Sequence, residues 1–286
     1  GTATITVTKS GGNHFEDATA EIQITVNPAV PAIAWSEGQK TLTYTGKAVE
    51  ADSLPELTVT LAKGEAFTGT IVYSYSNLEG GEAVAGLPAN AGRYAVVASI
   101  PASANYTDAQ SAPLTLTINK STPDIAFNDS YTPGGAYDGL ERPLPTEEQL
   151  TLTGAAYGDV DFTWHRDTAD GTVLDGPPVD AGTYVLTAVV PETDNTHKAG
   201  ASLTVTIAPK ALTVTAAPQT IVYGQNIETG TDQAAAGGLA ATDRLTGITL
   251  TPSTTEATTE GRITPSDAVV MRGTDIVNGN YEISYA

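Results

Sequence analysis

The sequence predicts an all-β chain that is built from tandem modules. Three observations carry this prediction: blocks of similar sequence recur about 90 residues apart, apolar residues inside these blocks alternate with polar ones, and turn-forming residues separate the runs. Alternation with period two is typical of strands that are buried on one face. Clusters of Gly, Pro, Asn and Asp between such runs are typical of tight β-turns.

The clearest repeated block is a five-residue segment. Residues 90–94 (NAGRY) and residues 180–184 (DAGTY) lie 90 positions apart, and Asn105 and Asn195 keep the same offset. Each block is followed by a run rich in β-branched residues. Several matches in the same order at one offset indicate a repeat of about 90 residues.

Apolar residues within each repeat predict strands with one inward face. The inward positions are Val160, Phe162 and Trp164 in one copy and Ile71, Tyr73 and Tyr75 in the other. The Thr-rich closing segments at 114–118 (LTLTI) and 203–207 (LTVTI) alternate in the same way. The Ala-rich window at 234–241 is interrupted by two glycines, so it does not predict a stable helix.

The repeated block also resembles a known fold. Residues 90–94 and 180–184 resemble the tyrosine-corner segment that opens strand F of immunoglobulin folds. Leu186 lies where an antibody domain has its cysteine, and Trp164 resembles the buried tryptophan of strand C, whose place Tyr75 takes in the other copy. The resemblance implies immunoglobulin-like β-sandwich modules without disulfides.

Four further motifs follow residue 209. They are residues 210–216 (KALTVTA), 221–224 (IVYG), 261–265 (GRITP) and 279–285 (GNYEISY). These motifs resemble the MBG/YDG-type repeats of large bacterial surface adhesins. Earlier in the chain, residues 137–139 (YDG) and 44–46 (YTG) resemble the equivalent early-strand motif. The resemblance implies tandem modules of a surface-anchored protein, and it implies location and architecture more firmly than any ligand.

These observations predict four segments in an elongated array. We name them the N-terminal hairpin (1–28), the first repeat (29–119), the second repeat (120–208) and the C-terminal module (209–286). The N-terminal hairpin is expected to be the closing hairpin of a truncated immunoglobulin-like repeat, because Gly1 aligns with Gly92. The C-terminal module is expected to be an MBG-type repeat that lacks its last strand. An unpaired edge there would be a template for strand addition, so edge-strand self-association is also expected.

Composition restricts the functions that are open to the chain. It has 33 acidic and 13 basic residues, a formal net charge of −20, and no cysteine. A field of this sign repels phosphate backbones and anionic lipid, which argues against a nucleic-acid partner. The sequence has no long apolar run, so membrane insertion of these residues is not expected. Together with the resemblance, the absence of cysteine favours an extracellular protein of the cell surface or cell wall.

No combination of residues predicts a catalytic, cofactor-binding or metal site. His14, His165 and His197 fall in different strands and connections, and we do not expect them to converge. Asp159 and Asp161 lie on one face of a predicted strand, about 7 Å apart. Outward carboxylates on such a strand lack the burial that tunes a catalytic pKa.

Acidic side chains near the repeat junction and in one turn-rich stretch offer oxygen ligands for calcium. They are Asp124, Asn128 and Asp129, followed by Asp167, Asp170, Asp175 and Asp180. The ligand motifs of calcium-binding junctions are absent, so solvated loops are the expectation, and calcium binding at the module junctions stays open.

The sequence therefore predicts non-catalytic stalk or spacer modules of a bacterial adhesin-like surface protein, with no cofactor and with neighbouring modules as partners. One alternative is a module that binds a glycan or host protein through its end loops or the face near Tyr73, Tyr75 and His165. Another is an accessory domain of a secreted polysaccharide-degrading enzyme.

Overall fold

The computed structural model describes residues 1–154 and 157–286. These residues form two compact units. Unit 1 consists of Gly1–Ser121 together with Asp194–Thr196, and unit 2 consists of Thr122–Thr193 together with His197–Ala286. Both units are made of β-strands with short 3-10 turns, and the described residues include no α-helix. The prediction of an all-β fold is confirmed.

Unit 1 contains ten strands. They are β1 (Thr2–Lys9), β2 (Ala18–Thr25), β3 (Ala32–Trp35), β4 (Gln39–Thr43), β5 (Leu57–Thr60), β6 (Val72–Asn77), β7 (Ala83–Val84), β8 (Gly92–Ile100), β9 (Ala109–Gln110) and β10 (Leu114–Asn119). A 3-10 turn at Ala51–Ser53 precedes β5.

Unit 2 contains the remaining twelve strands. They are β11 (Asp124–Phe127), β12 (Gly135–Ala136), β13 (Leu150–Thr153), β14 (Asp161–Arg166), β15 (Gly182–Val190), β16 (Ala199–Ala208), β17 (Lys210–Ala216), β18 (Ala234–Gly237), β19 (Asp243–Pro252), β20 (Ile263–Arg272), β21 (Asp275–Ile276) and β22 (Tyr281–Tyr285). Its 3-10 turns are Glu147–Gln149, Thr231–Gln233 and Asn278–Asn280.

The N-terminal hairpin is a two-stranded antiparallel sheet of β1 and β2. All sixteen residues of the two strands are exposed, and the sheet contains no third strand in the described part of the chain. Gly1 and Val26 close it with two backbone hydrogen bonds of 2.7 and 2.8 Å. A hairpin of this kind has little stability of its own in water.

The first repeat places a large sheet against a small one. The large sheet has the order β4-β10-β8-β6-β7, with β9 also paired to β8, and β3 pairs with β5 in the small sheet. β4 runs parallel to β10, whereas β8 is antiparallel to both β10 and β6. The core contains Val96, Leu114 and Leu116, which are fully buried. Trp35 from the small sheet stacks on Tyr73 from the large one, with ring centroids 6.1 Å apart.

The second repeat has the same arrangement. Its larger sheet has the order β12-β16-β15-β14, and β11 pairs with β13. β12 runs parallel to β16, as β4 does to β10. The predicted inward aromatic residues are confirmed, because Trp164 is 4% exposed here and Tyr75 is 8% exposed in the first repeat.

The C-terminal module consists of two three-stranded sheets, β18-β17-β22 and β19-β20-β21. Leu212, Val214 and Val270 are fully buried between them. The Ala-rich window, for which a stable helix was not expected, forms the strand β18 and the turn after it. β17 pairs in parallel with β22, which has β17 as its one neighbour among the described strands.

Candidate functional site

A tyrosine corner precedes the long middle strand of both repeats. The hydroxyl of Tyr94 donates to the carbonyl of Asn90 at 2.9 Å, and the hydroxyl of Tyr184 donates to the carbonyl of Asp180 at 2.8 Å. A Cβ on the intervening glycine would lie 3.3 Å from the tyrosine hydroxyl oxygen in each copy, so the glycine allows the ring to pack against the turn. Both predicted corners are therefore confirmed, and each occupies only the backbone carbonyl of its first residue.

In unit 2, Asn280 binds the two polar groups of the corner that Tyr184 does not contact, the amide of Ala181 and the carboxylate of Asp180. The side-chain oxygen of Asn280 accepts a hydrogen bond of 2.7 Å from the amide of Ala181. Its side-chain nitrogen donates to a carboxylate oxygen of Asp180 at 2.8 Å. Asn280 lies in the 3-10 turn before β22 and is only 5% exposed. One amide side chain thus satisfies two polar groups of a turn that is 100 residues away in sequence.

Unit 1 contains the same arrangement with different residues. The side-chain oxygen of Asn195 accepts from the amide of Ala91 at 2.7 Å, and its side-chain nitrogen donates to the side-chain oxygen of Asn90 at 3.2 Å. Asn195 belongs to the short segment Asp194–Thr196, which follows β15 in sequence and is part of unit 1. We call this pair of hydrogen bonds, in which one asparagine binds the first two residues of a tyrosine corner, an asparagine clasp.

A short parallel backbone contact accompanies each clasp. In unit 1, Ser121 bridges to Thr196 in parallel, and the amide of Ser121 donates to the carbonyl of Asn195 at 3.0 Å. In unit 2, Lys210 pairs with Tyr281 at the first position of the parallel ladder between β17 and β22. In both units the bridged residue comes directly after the clasp asparagine. The backbone contact therefore holds Ser121, just after β10, next to Asn195, and Lys210, just after β16, next to Asn280.

A half-buried carboxylate strengthens the contact in unit 2. Asp243, at the start of β19, accepts hydrogen bonds from the hydroxyls of Tyr281 at 2.6 Å and Tyr137 at 2.7 Å. The two rings meet edge to face, with centroids 5.4 Å apart. Burial acts to raise the pKa of Asp243, but the hydroxyl donors and the nearby guanidinium of Arg272 outweigh it and lower this pKa below its ordinary value. Burial and the bond to Asp243 raise the pKa of both tyrosines, so the cluster is ionised only at its carboxylate near neutral pH.

Arg272 connects this cluster to the corner. Its guanidinium lies 2.8 Å from a carboxylate oxygen of Asp180 and donates to the hydroxyl of Tyr137 at 3.2 Å. The pKa of Arg272 is raised because these partners outweigh the effect of its partial burial. The side chain of Asp180 is 50% exposed, so the ion pair contributes less than a buried pair would.

The YDG motif of the second repeat has a structural role in this contact. Tyr137 binds Asp243, as described above. Asp138 forms a bidentate ion pair with the buried Arg142, at 3.0 and 3.1 Å. Its carboxylate also accepts a hydrogen bond from the backbone amide of Leu140. Gly139 has a φ of +80°, and a Cβ there would lie 2.2 Å from the hydroxyl oxygen of Thr242. Only glycine fits this position without displacing Thr242.

The three histidines lie in different elements of the chain. His14 and His197 are exposed, in unit 1 and unit 2 respectively. His165 is half-buried on β14, where its ring nitrogens lie 3.3 Å from the carbonyl of Gly171 and 3.3 Å from the hydroxyl of Thr187. These are ordinary structural contacts for a histidine on a strand.

The acidic residues that the sequence offered as ligands are exposed or already engaged. Five of the offered calcium ligands are exposed, namely Asp124, Asp129, Asp167, Asp170 and Asp175, and so is the carboxylate pair of Asp159 and Asp161. Asn128 donates to the carbonyl of Glu148 at 2.6 Å and accepts from the amide of Ser130 at 3.1 Å. Within residues 1–154 and 157–286, three or more His, Asp or Glu side chains do not gather in an arrangement that could hold a metal ion.

Comparison with known proteins does not assign the chain to a family. No family model matches the chain, and no curated protein matches it. The solved structures that it resembles include the Drosophila N-cadherin EC1-4 fragment, at 10% identity and a TM-score of 0.21, covering 88% of this chain and 71% of that one. The S-layer protein rSbsC(31-844) matches at 16% identity and a TM-score of 0.23, and the alignment covers 99% of this chain and 44% of that one.

At these TM-scores the two likenesses carry no argument about fold or function. The all-β architecture is instead established by the sheets themselves. No helix among the described residues has the length and apolar character that crossing a membrane requires.

Proposed function

We propose that the chain consists of non-catalytic spacer modules of an extracellular bacterial surface protein, and that the clasp of Asn280 fixes the C-terminal module on the second repeat within unit 2. The observation that carries the proposal is the recurrence of the clasp. Two asparagines in different sequence contexts bind two tyrosine corners through the same pair of side-chain atoms. The two corners lie 90 residues apart, and a contact used for one local purpose would not need to recur on both of them.

The clasp is suited to fixing the orientation of one module on another because its side-chain and backbone contacts point in different directions. The amide side chain contacts the corner, and the parallel backbone contact holds the start of the following segment. Only Pro209 separates β16 from β17, and proline restricts the backbone there further. Such a junction has little conformational freedom left, which is what a spacer of fixed reach requires.

The chemistry of the cluster supports a structural role over catalysis. The carboxylate of Asp243 has a lowered pKa and accepts from two tyrosine hydroxyls and from Thr242. A general acid or base needs a pKa near the working pH and access to a substrate. The bacterial surface location and the assignment of the C-terminal module to the MBG/YDG type rest on the sequence motifs described above.

Recognition of a glycan or host protein is less well supported at the predicted face. Tyr75 is buried, and Tyr73 stacks on Trp35 inside the first repeat. A sugar platform requires an aromatic ring that is open to solvent, and neither residue provides one. His165 alone offers a half-buried imidazole whose two nitrogens already have contacts.

Residual dipolar couplings of the full chain test the spacer function. We expect the second repeat and the C-terminal module to share one alignment tensor in the wild-type chain, and to fit a single tensor less closely after Asn280→Ala, since the Arg272–Asp180 ion pair and the continuous core remain. The matched control is Asn226→Ala, which removes an exposed asparagine side chain from the same module and should leave the shared tensor unchanged. If the two modules already tumble independently in the wild-type chain, the clasps do not fix their orientation and the proposal is wrong.

A further inference from the structure

We propose that the C-terminal module binds a short neutral oligosaccharide in an open cleft between two of its loops. The first cleft loop (217–230) follows β17, and the second cleft loop (253–262) joins β19 to β20. The contacts with the second repeat lie at the opposite ends of these strands, where Lys210 begins β17 and Asp243 begins β19. The inference therefore adds a binding site to the spacer function and does not depend on that function.

The cleft has the size of a small-ligand site. Its volume is about 620 Å³, within the range of roughly 300–1,000 Å³ that is typical of such sites. All of its lining residues belong to unit 2. The apolar part of the lining comes from both cleft loops and the adjoining strand ends, and includes Pro218, Ile221, Tyr223, Ile227, Pro252 and Ile263. The cleft therefore offers an apolar surface for one face of a sugar ring.

The first cleft loop exposes an aromatic ring. Tyr223 is 70% exposed, and it follows two other exposed apolar residues, Ile221 and Val222. Contiguous apolar side chains that are open to solvent mark binding sites more often than isolated ones do. Tyr223 thus provides the solvent-accessible ring that a sugar platform requires and that Tyr73 and Tyr75 do not provide.

Hydrogen bonds hold the first cleft loop in one conformation. The side-chain amide of Gln219 donates to the carbonyl of Glu228 at 2.9 Å and accepts from its backbone amide at 2.8 Å. At the tip, the amide of Gln225 donates to the carbonyl of Val222 at 2.9 Å, and the amide of Val222 donates to the side-chain oxygen of Gln225 at 3.2 Å. Tyr223 lies inside this turn. Its backbone is therefore ordered before a ligand binds, which lowers the entropic cost of binding.

The second cleft loop is ordered in a similar way. At its base, the amide of Ser253 donates to the carbonyl of Arg262 at 2.8 Å, and the amide of Arg262 donates to the hydroxyl of Ser253 at 2.9 Å. The hydroxyls of Thr254 and Thr258 each accept from the backbone amide two positions later, at 3.0 and 3.1 Å. These bonds use the backbone and two of the hydroxyls, and they leave the other polar side chains of the loop available.

Four of these polar side chains line the cleft without a partner among the described residues. They are Thr255, Glu256, Thr259 and Arg262, and all four are exposed. A carboxylate accepts hydrogen bonds, a guanidinium donates them, and a hydroxyl does both. This combination, next to an apolar surface, matches a sugar, whose ring has apolar C–H faces and a rim of hydroxyl groups.

The charges favour a neutral sugar over an acidic one. Glu256 and Arg262 are the charged residues among the described lining residues, and their charges cancel. The net charge of −20 on the whole chain repels acidic glycans. An apolar peptide would cover the four polar side chains without pairing them, which costs free energy. A neutral oligosaccharide fits both the apolar and the polar parts of the lining.

The test begins with a screen of the full chain on an array of neutral and acidic oligosaccharides. The neutral oligosaccharide that binds most strongly is then titrated into the isotope-labelled full chain and followed by NMR. We expect the shifted amides to lie in the two cleft loops and the strand ends beside them. The affinity should be the same at about 0.05 M and about 0.5 M salt, because an uncharged ligand is not screened.

Variants of Tyr223 test the stacking ring. Tyr223→Ala should weaken binding about tenfold or more, whereas Tyr223→Phe, which keeps the ring, should retain most of the affinity. The matched control is Phe15→Ala, which removes a ring that is 83% exposed in unit 1 and should leave the affinity unchanged. Since both rings are exposed, all three variants should keep the thermal midpoint of the wild-type chain, so that weaker binding is not a result of unfolding.

Four results would overturn the inference. They are an array without a neutral binder, binding of acidic glycans that weakens with salt, amide shifts outside the cleft, and equal affinities of the wild-type chain and Tyr223→Ala. The Asn280→Ala tensor measurement above tests the spacer function at the other end of the module. Failure of the sugar screen therefore counts against the cleft and not against the clasps.

Discussion

Replacing Asn280 by alanine is the most direct test of the clasp. The substitution removes the acceptor for the amide of Ala181 and the donor to the carboxylate of Asp180. It keeps the backbone of the 3-10 turn, in which the amide of Asn280 donates to the carbonyl of Val277 at 3.0 Å. The perturbation is therefore confined to the two hydrogen bonds of the clasp.

The expected cost follows from these two hydrogen bonds. The bond between neutral groups contributes about 1 kcal/mol, and a bond to a carboxylate contributes about 1.5–3 kcal/mol. Because the side chain of Asp180 is half-exposed, water replaces part of the second bond and the lower end of that range applies. We expect Asn280→Ala to lower the free energy of unfolding of unit 2 by about 2–3 kcal/mol.

The two tryptophans allow the units to be observed separately. Trp164 is buried in unit 2 and Trp35 lies in unit 1, so Trp35→Phe leaves fluorescence that reports on unit 2 alone. Urea unfolding of the full chain in that background should show the loss for Asn280→Ala. A change below about 0.5 kcal/mol, the size of an ordinary surface substitution, would refute the reasoning.

The identity of the corner residue gives a second comparison. Asn280→Asp places a carboxylate against Asp180, whereas Asn195→Asp faces the neutral side chain of Asn90. Like charges at hydrogen-bond distance repel, so the first substitution should cost more than the second, and the difference should shrink in acid as the pair takes up a proton. Equal costs at pH 7 would show that the side chain of the corner residue does not contribute to the clasp.

Three further predictions concern the cluster in unit 2. Because the pKa of Asp243 is lowered in the folded chain, its contribution to the stability of unit 2 is complete above the ordinary carboxyl pKa of about 4 and is lost as the pH falls below it. Asp243→Asn should therefore weaken the fall of the urea midpoint with decreasing pH, measured between about pH 6 and pH 2. Gly139→Ala should lower the free energy of unfolding by more than about 2 kcal/mol, whereas Gly273→Ala in the same unit, at a φ of +61° but with an open Cβ position, should cost about 1 kcal/mol. Added Thr242→Ala should recover part of the larger loss in the same urea assay. The guanidinium of Arg272 supplies the positive charge beside the corner, so a calcium chelator should leave the thermal midpoint unchanged while Arg272→Met lowers it.

The sequence predicted those features that depend on local pattern. Alternation placed Trp164 and Tyr75 inside their sheets, and the five-residue blocks predicted both tyrosine corners. A strand face and a turn are each encoded within fewer than ten residues, so period and turn chemistry suffice to identify them.

The clasps could not be predicted in this way. Asn280 and Asp180 are 100 residues apart, and neither has a neighbour that distinguishes it from a turn residue. The available signal was the offset of 90 shared by Asn105 and Asn195, which shows that an asparagine recurs but not what it binds. Asp243 has no counterpart in unit 1, where Thr196 takes the position equivalent to its partner Tyr281.

Each tyrosine corner serves two purposes with different atoms of the same residue. The carbonyl of Asp180 accepts from Tyr184 and so stabilises its own repeat, while the side chain of Asp180 binds Asn280 and Arg272 of the C-terminal module. The clasp therefore forms only when the repeat that carries the corner is folded. Its contribution of about 2–3 kcal/mol is smaller than the roughly 5–15 kcal/mol that stabilises a typical domain. Under load or mild denaturant, opening of the clasp in unit 2 should precede unfolding of either module, so the first response of the junction is a change of angle and not a loss of fold.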